Sequence, residues 1–321
     1  MKIFFINSYH VGYPSSDGVT EGIMETLSGK DVELEIFYMD SKQHPGEDRI
    51  KSKAHEAMEK IKRFAPDVII ASDDNAVKYL VAPFLNDGNI PVVFCGVNWS
   101  ADQYGLGDNV TGMLEVSPLR ECILTIQIQY PDINQLAVLS ENTTSEKNNT
   151  VLLDSLYRNL GFEVDYHLVD DFERWKTAFV ESSIQTVLIF LPTNGAISGW
   201  NQEEAKQFVA EHIRVPVITC DDFMMDYAVF GLSKVFREQG EWAAASSLRI
   251  MDGSAPGSIP YARNCQFRAY LNRTLASWIS FDLMEMPEWE LKEIEESGMR
   301  TSGCFSIKDF HLDRGGIHIN F

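Results

Sequence analysis

The sequence predicts an α/β protein built from two doubly wound lobes, each a parallel sheet wrapped by helices. Three observations carry that expectation. Short β-branched runs alternate with helical segments along most of the chain. The rhythm restarts near Leu136, so two βαβα sets follow one another. At 321 residues the chain is long enough for two lobes, and no Pro/Gly/Ser-rich linker separates them.

In the first set, Lys2–Asn7 (KIFFIN) reads as a strand, and Val19, Ile23 and Leu27 share one face of a helix over Gly18–Leu27. Val32–Tyr38 alternates as a strand. Ile50, Ala54, Met58, Ile61 and Phe64 recur at steps of three and four, as a helix requires. Val68–Ala71 is a third strand, Ala76–Leu85 a helix, Val92–Cys95 a fourth strand, and Gly112–Leu114 falls where a fifth belongs. In the second set, strands are expected at Leu136–Leu139, Glu163–Leu168, Thr186–Leu191 and Val215–Thr219. Helices are expected at Ser145–Leu160, Phe172–Val180 and Glu203–His212, and tight crossovers near Glu115–Pro118 and Tyr227–Ser233. The two halves share no sequence identity, so the repeat is architectural.

Composition narrows the function classes. The chain is 45% hydrophobic and 23% charged, as in globular proteins. No run approaches the 18 apolar residues of a membrane span. The N-terminal apolar run is too short for a signal peptide. A formal net charge of −20 repels phosphate backbones and argues against nucleic acid as a partner. Cys95, Cys122, Cys220, Cys265 and Cys304 are scattered without a CxxC pair, a pattern of free thiols rather than a zinc site or disulfide frame.

Ligands of open parallel sheets bind at the carboxyl ends of the strands. The expected strand ends are all polar, and several carry an aromatic ring. They are Ser8-Tyr9-His10 with Tyr13 close behind, Asp73-Asp74-Asn75, Asn98-Trp99, Asn142-Thr143-Thr144, Thr193-Asn194 with Trp200 nearby, and Asp221-Asp222. Such a set suits a cleft for a small polar molecule with some flat apolar surface. Structural roles compete: Asp74 as a helix cap, Thr143 with Glu146 as a capping box, His10 in hydrogen bonding or packing, and the aromatic residues in a core. GxGxxG, GxxxxGK[ST] and GxSxG motifs are absent, and no two His residues have metal-ligand spacing on a helix. An enzyme would have to use the Asp73/Asp74 cluster, to hold Mg²⁺ or accept a phosphoryl group. No catalytic residue, metal or cofactor is therefore expected.

The stretches INSYHVGYPSSDGVTEGI, YMDSK, PDVIIASDDNAVKYLVAPFL, IPVVFCGVNWSADQYGL and NVTGMLEV resemble the ABC-transporter substrate-binding-protein family. This is the branch of the type I periplasmic binding fold that includes tryptophan and tyrosine binders and some bacterial sensor ectodomains. GLSKVFREQGEWAAASSLRIMDGSAPGSIP is similar to the family's returning segment, and the resemblance spans about residues 3–287. It implies an N-terminal lobe of 1–116 plus 229–256 and a C-terminal lobe of 117–228 plus 257–321, joined by a three-crossover hinge. It also implies an extracytoplasmic protein, periplasmic or membrane-associated, that closes on an amino-acid-like solute, aromatic or amine-bearing, and delivers it to an ABC permease. The absent signal peptide then marks a trimmed sequence. Carried over by position, the contacts fall on Ser8, Tyr9, Tyr13, Asp73, Asp74, Asn75, Asn98, Trp99, Asn142, Thr143, Thr144, Thr193, Asn194, Asp221 and Asp222. Amino-acid-binding relatives often have small hydroxyl residues where this chain has Asp73-Asp74-Asn75. A carboxylate there disfavours an anionic group and favours an amine or a sugar-like hydroxyl. The alternative within the family is a ligand-sensing ectodomain attached to a signalling domain. The segment from Glu288 to Phe321 matches no part of the family pattern, and His311 and His318 there flank a turn in what reads as a solvated tail.

Overall fold

The computed structural model describes residues 1–44 and 46–279, and beyond them the strands Leu291–Glu295, Gly298–Met299, Phe305–Ser306, Asp309–Asp313 and Gly316–Asn320. The chain divides into two compact units, one of Met1–Val116 with Val235–Asn264 and one of Ser117–Lys234 with Cys265–Phe321. It therefore passes from unit to unit three times.

Unit 1 contains β1 (Lys2–Asn7), α1 (Pro14–Leu27), β2 (Glu33–Tyr38), α2 (Glu47–Phe64), β3 (Val68–Ser72), α3 (Asp73–Ala76), β4 (Val92–Asn98) and β5 (Val110–Glu115). Its sheet runs β5-β4-β3-β1-β2, all parallel, with a short returning strand, Ala262–Arg263, outside β5. The period of two along β1 sorts its side chains. Ile3 and Phe5 enter a core with Val19, Ile23 and Leu27 of α1, while Phe4 and Ile6 join Ile50, Ala54 and Ile61 of α2 on the other face. Each of these side chains is buried, so the sheet is covered on both faces.

Two features depart from the expected pattern. The helix expected over Ala76–Leu85 is a π-helical segment, Val77–Leu85, closed by Asn86 N–H donating to the Val81 carbonyl at 2.8 Å. Pro83 lies inside it, and its ring would strike the carbonyl four residues back in an α-helix; the wider turn eases that clash. The returning segment's helix, Phe236–Met251, packs on α1 through glycines. A Cβ on Gly22 would overlap the Arg237 carbonyl, and one on Gly240 the Val19 carbonyl.

Continuing the same numbering, unit 2 contains α4 (Leu119–Gln129), β6 (Gln135–Glu141), α5 (Thr144–Asn159), β7 (Glu163–Val169), α6 (Phe172–Gln185), β8 (Leu188–Phe190), α7 (Gln202–His212), β9 (Val217–Thr219) and β10 (Phe230–Lys234). The helix Phe236–Met251 is α8, Ala262–Arg263 is β11, and unit 2 resumes with β12 (Gln266–Leu271) and α9 (Arg273–Trp278). Strands β7-β6-β8-β9-β10 are parallel and β12 runs antiparallel to β10. The crossover expected at Tyr227–Ser233 is thus corrected. Phe230–Lys234 is a buried strand paired on both sides, which moves the returning segment from 229–256 to Val235–Asn264. Beyond α9, His311 and His318 stand opposite each other in an antiparallel pair of strands.

At two of the three crossings, Asn264 ties the chain to itself. Its Oδ1 accepts from the Val116 N–H at 2.7 Å and its Nδ2 donates to the Val116 carbonyl at 3.1 Å. Side-chain amide thus replaces backbone as partner in a β-bridge between the last residue before one crossing and the last before another.

Candidate functional site

In unit 1 the carboxyl ends of β1, β3 and β4 meet in one hydrogen-bonded group. Asn7 holds the first loop from below, its amide donating to Ser16 O and Thr20 Oγ1, both at 3.3 Å. Ser8 is fully buried, and its hydroxyl donates to Ser72 O at 2.6 Å while accepting from Ala76 N–H at 2.9 Å. Ser8 therefore caps α3 from 64 to 68 residues away in sequence. Its one donor is spent on Ser72 and one of its two lone pairs on Ala76, so in this arrangement it positions the β3 end. Asn75 Nδ2 donates to Ser41 Oγ at 2.9 Å, and Ser41 Oγ donates to the Ser8 carbonyl at 2.7 Å, which joins β1, the loop after β2 and α3.

Asp74 does not cap the helix. Its Oδ1 accepts from Tyr104 O–H and its Oδ2 from Asn98 Nδ2, both at 2.6 Å, with Asn98 N–H at 3.3 Å. The side chain ties the ends of β3 and β4 together. Asp73 and Trp99 carry backbone φ of 68° and 61°, the left-handed region that bulky residues avoid. Between them the β4–β5 register shifts at Gly96, whose φ is 72°. A Cβ at Gly96 would come within 3.3 Å of Asp73 Oδ1, so glycine serves both the bulge and the close approach.

The charges here are unbalanced. Asp73 is 7% exposed, and its carboxyl is held well above the usual range, first by burial and then by the Glu115 and Asp74 carboxylates. Tyr9 is raised by burial and by the charge of Asp73. Its ring meets Tyr13 edge-on at 5.0 Å, and Lys42 Nζ lies 4.9 Å from one ring centre and 5.3 Å from the other.

In unit 2 the predicted residues divide. Thr143 caps α5, its Oγ1 accepting from Glu146 N–H at 3.2 Å. The capping box is only half formed, because Glu146 turns its carboxylate to Ser140 Oγ at 2.7 Å and to Asn149. Thr144 is the first residue of α5. Asn142 is exposed and donates to Asp170 Oδ1 at 2.8 Å. Thr193 offers its carbonyl to Ser140 Oγ, and Asp221 N–H donates to Thr219 Oγ1 at 3.3 Å. Unit 2 has a pocket of about 460 Å³ lined by Tyr130, Ile133, Arg214 and Ile279 among others, and another to which Asn142, Thr143, Thr193 and Asp221 do not contribute.

The second of these, about 320 Å³ in volume, brings predicted Asn194 and Asp222 together with Trp200, Gln202, Phe223, Met225, Asp226, Tyr227 and Tyr270. Its aromatic wall rests on a fixed support. Trp200 meets Tyr227 edge-on at 5.3 Å and Trp175 at 5.0 Å, and Trp175 is buried and stacks on Phe179. Trp200 Nε1 donates to Tyr227 Oη at 3.3 Å. Asp226 is held by Lys206 at 2.9 Å, and Asp222 lies 3.8 Å from Arg268. Phe223, Tyr227 and Tyr270 escape a strand-end reading. Phe223 and Tyr227 belong to a 3₁₀ turn, Asp222–Tyr227, four residues apart in DDFMMDY, a spacing that is the available clue; Tyr270 sits on the antiparallel strand β12.

Among the described residues no cluster of His, Cys, Asp or Glu could hold a metal ion, and no helix is long and apolar enough to cross a membrane. Cys95, Cys122 and Cys220 are buried free thiols and Cys265 is partly exposed; Cys304 lies outside the described residues.

Comparison with solved structures places the fold among binding proteins. A substrate-binding protein with adhesive properties from Clostridium difficile, in its ligand-free, open form, aligns with a TM-score of 0.72 at 14% identity, covering 92% of this chain and 99% of its own. A domain from Streptococcus pneumonia in complex with L-Trp aligns at 0.62 with 13% identity, covering 91% and 99%. A conserved domain protein from Vibrio cholerae aligns at 0.57 with 17% identity, covering 88% and 96%. None of the curated proteins compared matches the chain. The family model for ABC transporter substrate binding proteins matches residues 8–285. The chain belongs to the ABC-transporter substrate-binding protein family, whose members are solute-binding proteins.

Proposed function

We propose that this protein works outside the cytoplasmic membrane, captures a small polar, amine-bearing solute of amino-acid size and delivers it to its permease. The observation that carries it is the pocket of Asn194, Trp200, Asp222 and Tyr270 at the carboxyl ends of the unit 2 strands, where a parallel sheet takes its ligands. The Streptococcus relative, in complex with L-Trp, is an instance of an aromatic amine as ligand.

A thermal-shift screen over amino acids, nucleosides, sugars and amines tests the reading. A true ligand at one hundred times its Kd stabilises by about 2.7 kcal/mol, a shift readily seen. A library of that breadth without one stabiliser refutes it.

A further inference from the structure

Two thiols of unit 2 lie side by side in its interior. Cys122, in the first turn of α4, is fully buried, and Cys220, directly after β9, is 2% exposed. Cys122 Sγ donates to the Thr219 carbonyl at 3.8 Å, which sets it against the backbone that leads into Cys220. The two thiols are themselves hydrogen-bonded, and burial first, then the Cys220 thiol, holds Cys122 well above its ordinary range. The packing of α4 on β9 and β10 brings this pair together from roughly a hundred residues apart in sequence.

A buried thiol by itself behaves as a small, inert hydrophobe. Cys95 fits that description, lying in the unit 1 core with Val68, Ile70 and Val93. Cys122 and Cys220 differ because each has the other as its neighbour. Cys220 also holds a particular place in the chain. The 3₁₀ turn Asp222–Tyr227 follows it, and Asp222, Phe223, Met225, Asp226 and Tyr227 of that turn line the aromatic pocket of unit 2. A covalent tie at Cys220 therefore fixes the base of the segment that supplies much of the pocket wall.

We infer that Cys122 and Cys220 are a modification site: they join as a disulfide when the chain folds in an oxidising medium, and the bond tethers the pocket's 3₁₀ turn to α4. Two S–H bonds break and one S–S bond forms. The two electrons and two protons pass to a small-molecule or protein disulfide, whose own S–S bond opens to two thiols. Burial sets the order of events. The oxidant reaches the pair before the interior closes, and afterwards neither oxidant nor reductant has access. The folded molecule thus stores the redox condition under which it folded. Only the source of the oxidant rests on the extracytoplasmic reading above, because such compartments are oxidising.

Refolding the full chain from urea tests this, with oxidised glutathione in one sample and dithiothreitol in the other. In the oxidised sample, non-reducing peptide mapping by mass spectrometry should find the Cys122 and Cys220 peptides joined. Its Tm should exceed that of the reduced sample by about 5 °C or more, and amide exchange over Asp222–Tyr227 should be slower by about threefold or more. Cys122→Ala and Cys220→Ala should each abolish both differences, and the mapping on the parent chain needs neither variant to fold. An oxidised, folded sample in which both thiols stay free, or in which either pairs with Cys95, Cys265 or Cys304, overturns the proposal. So does a joined pair that leaves exchange over the turn unchanged. All of these outcomes are independent of solute capture, which the broad screen judges separately.

Discussion

The clamp between Asp74 and Tyr104 is open to a quantitative test. Replacing Asp74 with Ala removes a 2.6 Å bond from a half-buried phenol, a 2.6 Å bond from the Asn98 amide and a weaker one from its N–H. Hydrogen bonds to a charged group contribute about 1.5–3 kcal/mol when shielded, and less where water competes. The phenol bond falls at the lower end of that range, and the exposed Asn98 bonds add about 0.5 kcal/mol. Asp74→Ala should therefore destabilise unit 1 by about 2 kcal/mol, a fall in Tm of roughly 4–8 °C for a body of this size. Tyr104→Phe should cost about 1.5 kcal/mol alone. The double variant should cost little more than Asp74→Ala, giving a coupling of about 1.5 kcal/mol in urea unfolding followed at matched pH. A coupling under about 0.3 kcal/mol means the two changes add independently, and Asp74 would not be the tie between the β3 and β4 ends.

Two further outcomes follow from the same region and its support. Asp73 has a native pKa raised above its unfolded value, so its contribution to stability is complete below about pH 4 and is lost as pH rises through the native pKa. Asp73→Asn, which keeps a residue tolerant of φ 68°, should be more stable than the parent at pH 8, with a Tm gap that shrinks toward pH 4; a gap constant across that range refutes the assignment. Gly240→Ala should destabilise by about 3 kcal/mol or more, because the added methyl meets the Val19 backbone; an unchanged Tm would show that α1 and α8 can separate freely.

Much of this architecture is written locally and so can be read from sequence. Phe4 and Ile6 alternate with Ile3 and Phe5, and the two pairs enter different cores as the period of two requires. Strand β10 escapes the same reading because Gly231 interrupts its apolar run, and glycine there resembles a turn. The glycine is needed because a Cβ would collide with Met225 and the Thr219 carbonyl. The π-helical segment has an apolar pattern that any helix would share, and only Pro83 hints at the altered turn. At the site, residue types at the strand ends are legible and their partners are not. Ser8 reads as a ligand contact, but its hydroxyl caps a helix 68 residues downstream. Nothing near either residue in sequence signals that pairing.

The strain at these strand ends bears on what they are for. Two non-glycine residues in left-handed conformation, Asp73 and Trp99, flank the Gly96 bulge, and one of them is a carboxylate buried among other carboxylates. Each costs of order 1–3 kcal/mol in backbone terms alone. A fold seeking only stability could place an Asn or Gly at residue 73 and lose nothing that the sheet requires, since Ala76 N–H is already capped by Ser8. The surrounding ties, Ser8 to Ser72, Asp74 to Tyr104 and Asn75 to Ser41, hold the strained pair in one geometry. Rigid support around a destabilised carboxylate is the arrangement expected when a bound cation relieves the cost, because a ligand that restores charge balance then binds the folded protein more tightly than a site already at its minimum would allow. Conversely, if Asp73→Asn proves more stable and still binds amines as tightly as the parent does, the buried charge contributes nothing to recognition, and the strain has to be explained by the packing of the β3 and β4 ends alone.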